Sequence, residues 1–89
     1  MEKLEFKPNI YNVIRKNVKK YRKERGFTSA QLAEMVDLSH DFIRQIESEK
    51  TAYNFSVETF YRLAVALDVK LDDLIKDWFI LPYLAVFNN

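Results

Sequence analysis

Hydrophobic residues recur along the chain at three- and four-residue steps, which is the spacing of one face of an α-helix. The first segment with this pattern has four such positions, Ile10, Ile14, Val18 and Tyr21. It follows Pro8 and Asn9 and runs into Gly26, the only glycine of the chain. Helices often end with a glycine in the left-handed conformation. The pattern therefore predicts a first helix that begins after Asn9 and ends before Gly26.

The apolar pattern of residues 28–48 predicts two short helices joined by a sharp corner. The apolar positions of the two helices are Leu32, Ala33 and Val36, then Ile43 and Ile46. Thr28 followed by Gln31 is typical of a capping box, and Ser39 stands where the second helix needs its N-cap. Only Asp37 and Leu38 separate the two patterns. We therefore expect helices from about Ser29 to Val36 and from about His40 to Ser48.

Two further helices are predicted in the second half of the chain. Ser56 is the expected N-cap of helix 4, and Asp68 and Val69 turn the chain into helix 5. The inward positions expected on helix 4 are Val57, Phe60, Leu63, Ala64 and Leu67. Those expected on helix 5 are Leu71, Leu74 and Ile75. With almost no strand signal, the 89 residues predict one small all-α domain of five helices.

The composition argues against several classes of protein. There is no cysteine, one histidine and no glycine-rich phosphate loop, so we expect no enzyme, no metal site, no cofactor and no small-molecule substrate. The longest apolar run, residues 78–87, is interrupted by Pro82 and falls short of the ~20 residues that span a membrane. Residues 1–7 are charged and have no apolar segment of a secretory signal. The chain is expected to be a soluble cytoplasmic protein without a membrane partner.

The net charge of +1 conceals a strong asymmetry along the chain. Residues 1–27 carry nine Lys and Arg against three Glu, a balance of +6. Residues 28–89 carry five Lys and Arg against ten Asp and Glu, a balance of −5. Helix 1 contributes Lys16, Lys19, Lys20 and Lys23 at helical spacing, and we expect these lysines on a solvated face. The alternative is a secondary contact with neighbouring DNA or with an acidic partner.

The predicted corner leaves the outer face of helix 3 free to contact another molecule. His40, Asp41, Arg44 and Gln45 share that face. Two helices joined in this way form a helix-turn-helix, in which the second helix enters the major groove of DNA. Gln pairs well with adenine and Arg with guanine, whereas Asp can only accept, for instance from cytosine. The start of helix 2, with Ser29 and Gln31, offers N–H groups suited either to phosphate or to a simple cap.

Residues 18–75 resemble the Xre-type helix-turn-helix family, which includes phage Cro proteins and lambda-type repressors. The resemblance is carried by Arg22, Gly26, T-S-A-Q-L-A at 28–33, S-H-D-F-I-R-Q-I-E at 39–47, S-V-E-T-F at 56–60 and A-L-D-V-K-L-D-D-L at 66–74. It implies a compact five-helix bundle of the lambda-repressor-like type. It also implies a repressor-like transcriptional regulator that binds double-stranded operator DNA, usually as a dimer, with helix 3 in the major groove.

The resemblance also implies roles for particular residues. Arg22 and Glu47 match a buried ion pair that ties helix 1 to helix 3. The loop after helix 3, here with Lys50 and Thr51, is expected to grip phosphates. The complete set expected to contact DNA is Ser29, Gln31, Ser39, His40, Asp41, Arg44, Gln45, Lys50 and Thr51.

The C-terminal tail, residues 78–89, is unusually apolar. A helix-turn-helix domain spanning residues 1–77 does not require so many large apolar side chains, and such a patch in water favours association. We expect a homodimer through the tail, and the alternative is that the tail folds back over helices 1 and 5. The side chains expected at the dimer contact are Trp78, Phe79, Leu81, Tyr83, Leu84 and Phe87.

A second interpretation of the function remains open. Residues 28–56 carry only Arg44 and Lys50 against five carboxylates, which is few cations for a surface that binds DNA. The alternative is a protein-interaction module on a helix-turn-helix fold, with weak or no DNA binding.

Overall fold

The computed structural model describes residues 9–48 and 54–76, together with the backbone of residues 5–7 and 79–81. Five helices form the bundle: α1 (Ile10–Glu24), α2 (Ser29–Met35), α3 (His40–Glu47), α4 (Val57–Leu67) and α5 (Leu71–Ile75). The prediction of five helices is confirmed, and α2 and α3 each end one residue earlier than expected. Within the described residues, no helix is long and apolar enough to cross a membrane.

The helix ends lie where local side-chain chemistry places them. The Gln31 N–H donates to Thr28 Oγ1 at 3.1 Å, and the Thr28 N–H donates to Gln31 Oε1 at 2.8 Å, which completes the capping box. Ser39 Oγ and Ser56 Oγ each accept an N–H from the first turn of the following helix, at 3.1 Å. Gly26 ends α1 with φ at +76°, a conformation that glycine adopts at little cost. Local sequence thus determines where each of these helices begins or ends.

One hydrophobic core unites the five helices. Its completely buried members include Val18, Leu32, Ile43, Ile46, Leu63, Leu67 and Leu74. Two expectations for the core were wrong, because Val57 is 83% exposed and Leu71 is 41% exposed. Each is the first residue of its helix, and side chains in a helix tilt toward its N-terminus. These two side chains therefore extend past the packed turns into solvent.

The two ends of the chain form a short antiparallel pair of strands. Strand β1 (Glu5–Lys7) pairs with β2 (Phe79–Leu81), with Glu5 opposite Leu81. These strands were not predicted, because three residues are too few to display a clear alternation of apolar and polar positions. The helical bundle is all-α as expected, and the strand pair is an addition to it.

Asn17 of α1 and Arg25, the residue that follows α1, satisfy carbonyl groups at the ends of α5 and α4. Asn17 Nδ2 donates to the Leu74 carbonyl oxygen at 2.8 Å. Arg25 Nε donates to the Leu67 carbonyl oxygen at 2.8 Å, and Arg25 Nη2 donates to that of Asp68 at 3.1 Å. The last carbonyls of a helix have no intrahelical partner, so these bonds fix α4 and α5 against α1.

Candidate nucleic-acid interface

The corner between α2 and α3 is a left-handed turn at Asp37, where φ is +57°. Asp tolerates this conformation better than most residues other than glycine. The Leu38 N–H donates to the Ala33 carbonyl oxygen at 2.9 Å and closes the end of α2. Arg62 adds a bond from α4, with Nη1 3.3 Å from the Val36 carbonyl oxygen. The corner is therefore held both by its own backbone and by α4.

The far end of α3 is fixed by the ion pair that the resemblance implies. Arg22 Nε lies 2.7 Å from Glu47 Oε2, and Arg22 Nη2 lies 2.9 Å from Glu47 Oε1. The third nitrogen, Nη1, donates to the Phe27 carbonyl oxygen at 2.8 Å. Both side chains are about nine-tenths buried, with 11% and 8% exposed. This bidentate pair links α1 to the last residue of α3 and fixes the orientation of that helix.

The outer face of α3 presents the four side chains that the sequence places there. His40, Asp41, Arg44 and Gln45 are all exposed. Three of them, Asp41, Arg44 and Gln45, line a shallow depression of about 310 Å³. The opposite side of the helix carries Ile43 and Ile46, which are completely buried. We refer to the four exposed residues as the α3 face.

The α3 face carries little positive charge. Arg44 Nη1 lies 3.5 Å from Asp41 Oδ1, and both side chains are mostly exposed. An exposed ion pair at this distance contributes little free energy, so Asp41 does not fix Arg44 in place. Residues 28–48 contain no other lysine or arginine. The chemistry available here is hydrogen bonding by His40, Arg44 and Gln45.

The start of α2 carries two further residues of the expected DNA-binding set, Ser29 and Gln31. Ser29 is half-buried, and Gln31 is exposed with its amide oxygen engaged by the Thr28 N–H. The side-chain amide nitrogen of Gln31 is a donor suited to phosphate. Ser39 Oγ accepts from the Phe42 N–H and can still donate its hydroxyl hydrogen. The described members of the expected DNA-binding set thus lie on α2, on α3 and at the N-cap of α3, and their role in DNA binding remains a prediction.

Some of the expected functional residues lie outside the described part of the chain. These are Lys50 and Thr51 of the proposed phosphate grip, and Trp78, Tyr83, Leu84 and Phe87 of the expected dimer contact. Phe79 and Leu81 lie in β2, whose backbone pairs with β1 of the same chain. Their expected roles remain predictions.

The sequence did not indicate that one residue of α4 supports the corner. Arg62 holds the corner from α4 and also pairs with Glu58, with Nη2 2.6 Å from Glu58 Oε1. Only the Glu58–Arg62 spacing of four residues, which is typical of a surface ion pair, was visible in the sequence. The contact with Val36 depends on how α4 crosses α2, and this crossing is not visible in the sequence.

The fold and the exposed α3 face define a helix-turn-helix protein. A helix-turn-helix family model matches residues 18–74. The chain therefore belongs to the Xre-type helix-turn-helix family, whose members are DNA-binding regulators of transcription and not enzymes. No curated protein matches the chain.

Several solved structures share the fold. SinR, the master regulator for biofilm formation, in complex with DNA, is 30% identical and superposes with a TM-score of 0.63, over 68% of this chain and 95% of that chain. The N-terminal DNA-binding domain of SinR from Bacillus subtilis is 28% identical, with a TM-score of 0.64 over 71% of this chain and 90% of that chain. The restriction-modification controller protein C.AhdI from Aeromonas hydrophila shares the fold at 22% identity. Its TM-score is 0.65, over 72% of this chain and 94% of that chain.

Proposed function

We propose that this protein is a sequence-specific transcriptional regulator of the repressor-like kind, which binds double-stranded DNA with α3 in the major groove. The observation that carries the proposal is the α3 face. Its four polar side chains are exposed on a helix fixed at one end by the corner and at the other by the Arg22–Glu47 pair. A rigid helix of this kind can hold its side chains in register with base edges. The similarity to SinR in complex with DNA supports the same conclusion.

The proposed contacts divide into base reading and backbone positioning. Arg44 and Gln45 read bases, because their side chains can pair with guanine and adenine through two hydrogen bonds. His40 and Asp41 lie one turn earlier on the same face and make the secondary contacts. The phosphate contacts are assigned to Ser29, Gln31, Ser39, Lys50 and Thr51.

The wider proposal is a cytoplasmic homodimer without enzymatic activity or a cofactor. A helix-turn-helix monomer reads few base pairs, and a dimer gains specificity by binding two half-sites about one DNA turn apart. The domain is assigned to residues 1–77 and the dimer contact to the tail, residues 78–89.

The test begins with selection of a preferred sequence from a random pool of duplex DNA by the full chain. Arg44→Ala and Gln45→Ala should each weaken binding to the selected sequence by roughly 1–3 kcal/mol and relax the preference at one base position. Lys70→Ala is the control, because Lys70 is exposed and precedes α5. If both α3 variants bind the selected sequence as tightly as the unaltered chain, α3 does not read DNA.

The protein-interaction alternative is favoured by one observation. Glu34, Asp37 and Asp41 are exposed in the helix-turn-helix unit, where Arg44 is the one arginine that accompanies them on the surface of residues 28–48. Such a surface suits a basic protein partner as well as a base-reading role. A random pool that yields no preferred sequence would favour this alternative.

A further inference from the structure

Helix α1 carries four lysines on the side that faces away from the core. Lys16, Lys19, Lys20 and Lys23 are exposed, whereas Ile14, Val18 and Tyr21 are buried on the opposite side. With ~3.6 residues per turn, the four lysines occupy a sector of about 100° around the helix. We refer to these four residues as the α1 lysine face.

Within the described part of the chain, no lysine of the α1 lysine face forms an ion pair with a carboxylate. The ion pairs found among the described residues are Arg22–Glu47, Arg44–Asp41 and Arg62–Glu58, and none of them includes one of these lysines. Lys20 Nζ lies 5.3 Å from the centre of the Tyr21 ring, a contact that leaves its charge in place. Four positive charges are therefore presented together to solvent.

The α1 lysine face and the α3 face lie on the outer sides of two different helices. Helices α1 and α3 share one core, to which α1 contributes Ile14 and Val18 and α3 contributes Ile43 and Ile46. The exposed side of each helix lies opposite its core residues, as the burial pattern shows. The four lysines are therefore not part of the α3 face, and they form a separate charged surface on another helix.

The positive charge of the chain is concentrated in its first 27 residues. Residues 1–27 have a balance of +6, whereas residues 28–89 have a balance of −5. Clustered charge of one sign raises the local concentration of the opposite ion and speeds encounter. The base-reading helix, with its single arginine, contributes little to this long-range field.

We propose that the α1 lysine face is a second DNA-binding surface, which holds the phosphate backbone of duplex DNA without sequence preference and independently of the α3 face. Lysine ammonium groups act as point charges and need no fixed geometry to contact phosphate. At 1.5 Å per residue, Lys16 and Lys23 lie about 10 Å apart along the helix axis. Measured along the axis of the duplex, where each strand carries one phosphate per ~3.4 Å, this length corresponds to about three phosphates of one strand.

The proposal predicts how the affinity for random DNA depends on the salt concentration. Each neutralised phosphate contributes about 0.9 to the slope of log affinity against log salt concentration. Four lysine contacts give a slope of about 3 to 4, so the affinity falls roughly 100-fold between 50 and 200 mM salt. Binding to a selected sequence through the α3 face should be less steep, because that face carries few cations.

The test uses the full chain and a random-sequence duplex. The variant with Lys16→Gln, Lys19→Gln, Lys20→Gln and Lys23→Gln should bind this duplex at least ~10-fold more weakly at low salt and lose about 3 from the slope. The matching variant with arginine at the same four positions keeps the charge and should keep the affinity. For a single charge, Lys19→Gln should lower the slope by about 0.9, whereas Lys70→Gln should leave it unchanged. The lysines are exposed, so thermal melting should be the same for all of these variants.

Two results would overturn the proposal. If the four-glutamine variant retains the affinity and the slope of the unaltered chain, the lysines do not contact DNA. In that case an acidic protein surface is the better partner for the α1 lysine face. If Arg44→Ala combined with Gln45→Ala abolishes binding to the random duplex, the non-specific contact also lies on α3. The test does not depend on sequence-specific regulation, since the duplex contains no selected site. Failure to select a preferred DNA sequence would therefore not contradict the proposal for the α1 lysine face.

Discussion

At the scale of single residues, the contact between Arg22 and Glu47 carries the largest energetic consequence. Every nitrogen of the Arg22 guanidinium has an acceptor, two on Glu47 and one on the Phe27 carbonyl. A buried pair satisfied in this way is stable as a unit. Removal of one partner leaves the other charge buried without compensation, which is costly.

We therefore expect Glu47→Gln to lower the free energy of unfolding by about 3–5 kcal/mol. The matched control is Glu58→Gln, which breaks the exposed pair with Arg62 and should cost less than about 0.5 kcal/mol. The measurement is chemical denaturation followed by circular dichroism. A Glu47→Gln variant as stable as the control would show that this pair does not hold α3.

At the scale of elements, the docking of α5 depends on contacts from α1. Helix α5 has only five residues and cannot form alone. Leu74 is completely buried, and Asn17 donates to its carbonyl oxygen. Lys76 Nζ, just after the helix, lies 2.7 Å from the Tyr21 hydroxyl oxygen. Both polar contacts are made to α1, which therefore fixes α5 in place.

We expect Asn17→Ala to lower the free energy of unfolding by about 1–3 kcal/mol, because the Leu74 carbonyl is left buried without a donor. Asn54→Ala is the control, since Asn54 is exposed and its replacement should stay within about 0.5 kcal/mol. Hydrogen exchange at α5 should rise in the Asn17 variant. Equal stability of the two variants would contradict a role for Asn17 in docking α5.

The elements also show which features the sequence could predict. The helix ends were predictable because Thr28, Ser39, Ser56 and Gly26 act on neighbouring residues. The positions of the α3 face followed from helical spacing alone. The bonds from α1 to α4 and α5 were not predictable, because they join residues far apart in sequence and depend on how the helices cross.

At the scale of the whole molecule, the proposed homodimer needs an apolar contact between two copies of the chain. Two apolar segments are candidates for this contact. One is the tail, residues 78–89, and the other is the outer side of α4, where Tyr61 is 58% exposed and Val65 is 60% exposed. Exposed apolar patches favour association, so the two surfaces must be tested side by side.

We expect the full chain to be a dimer at tens of micromolar in light scattering, and Tyr83→Ser combined with Phe87→Ser to convert it to a monomer. Both substitutions fall after β2 and leave the residues of the strand pair unaltered. The control is Tyr61→Ser combined with Val65→Ser, which should remain dimeric. A monomeric full chain would refute the dimer, and a monomeric control beside a dimeric tail variant would move the contact to α4.

The pairing of β1 with β2 has a consequence for the order of folding. Glu5 lies near the start of the chain and its partner Leu81 lies near the end. Among the described residues, their contact therefore closes the longest loop. Contacts of this kind form late, and the ribosome releases β2 only after the residues of all five helices. The bundle can thus fold first and the strands close afterwards. The same pair should be the first to open, and an opened β2 that meets β1 of another copy is a direct route to strand exchange.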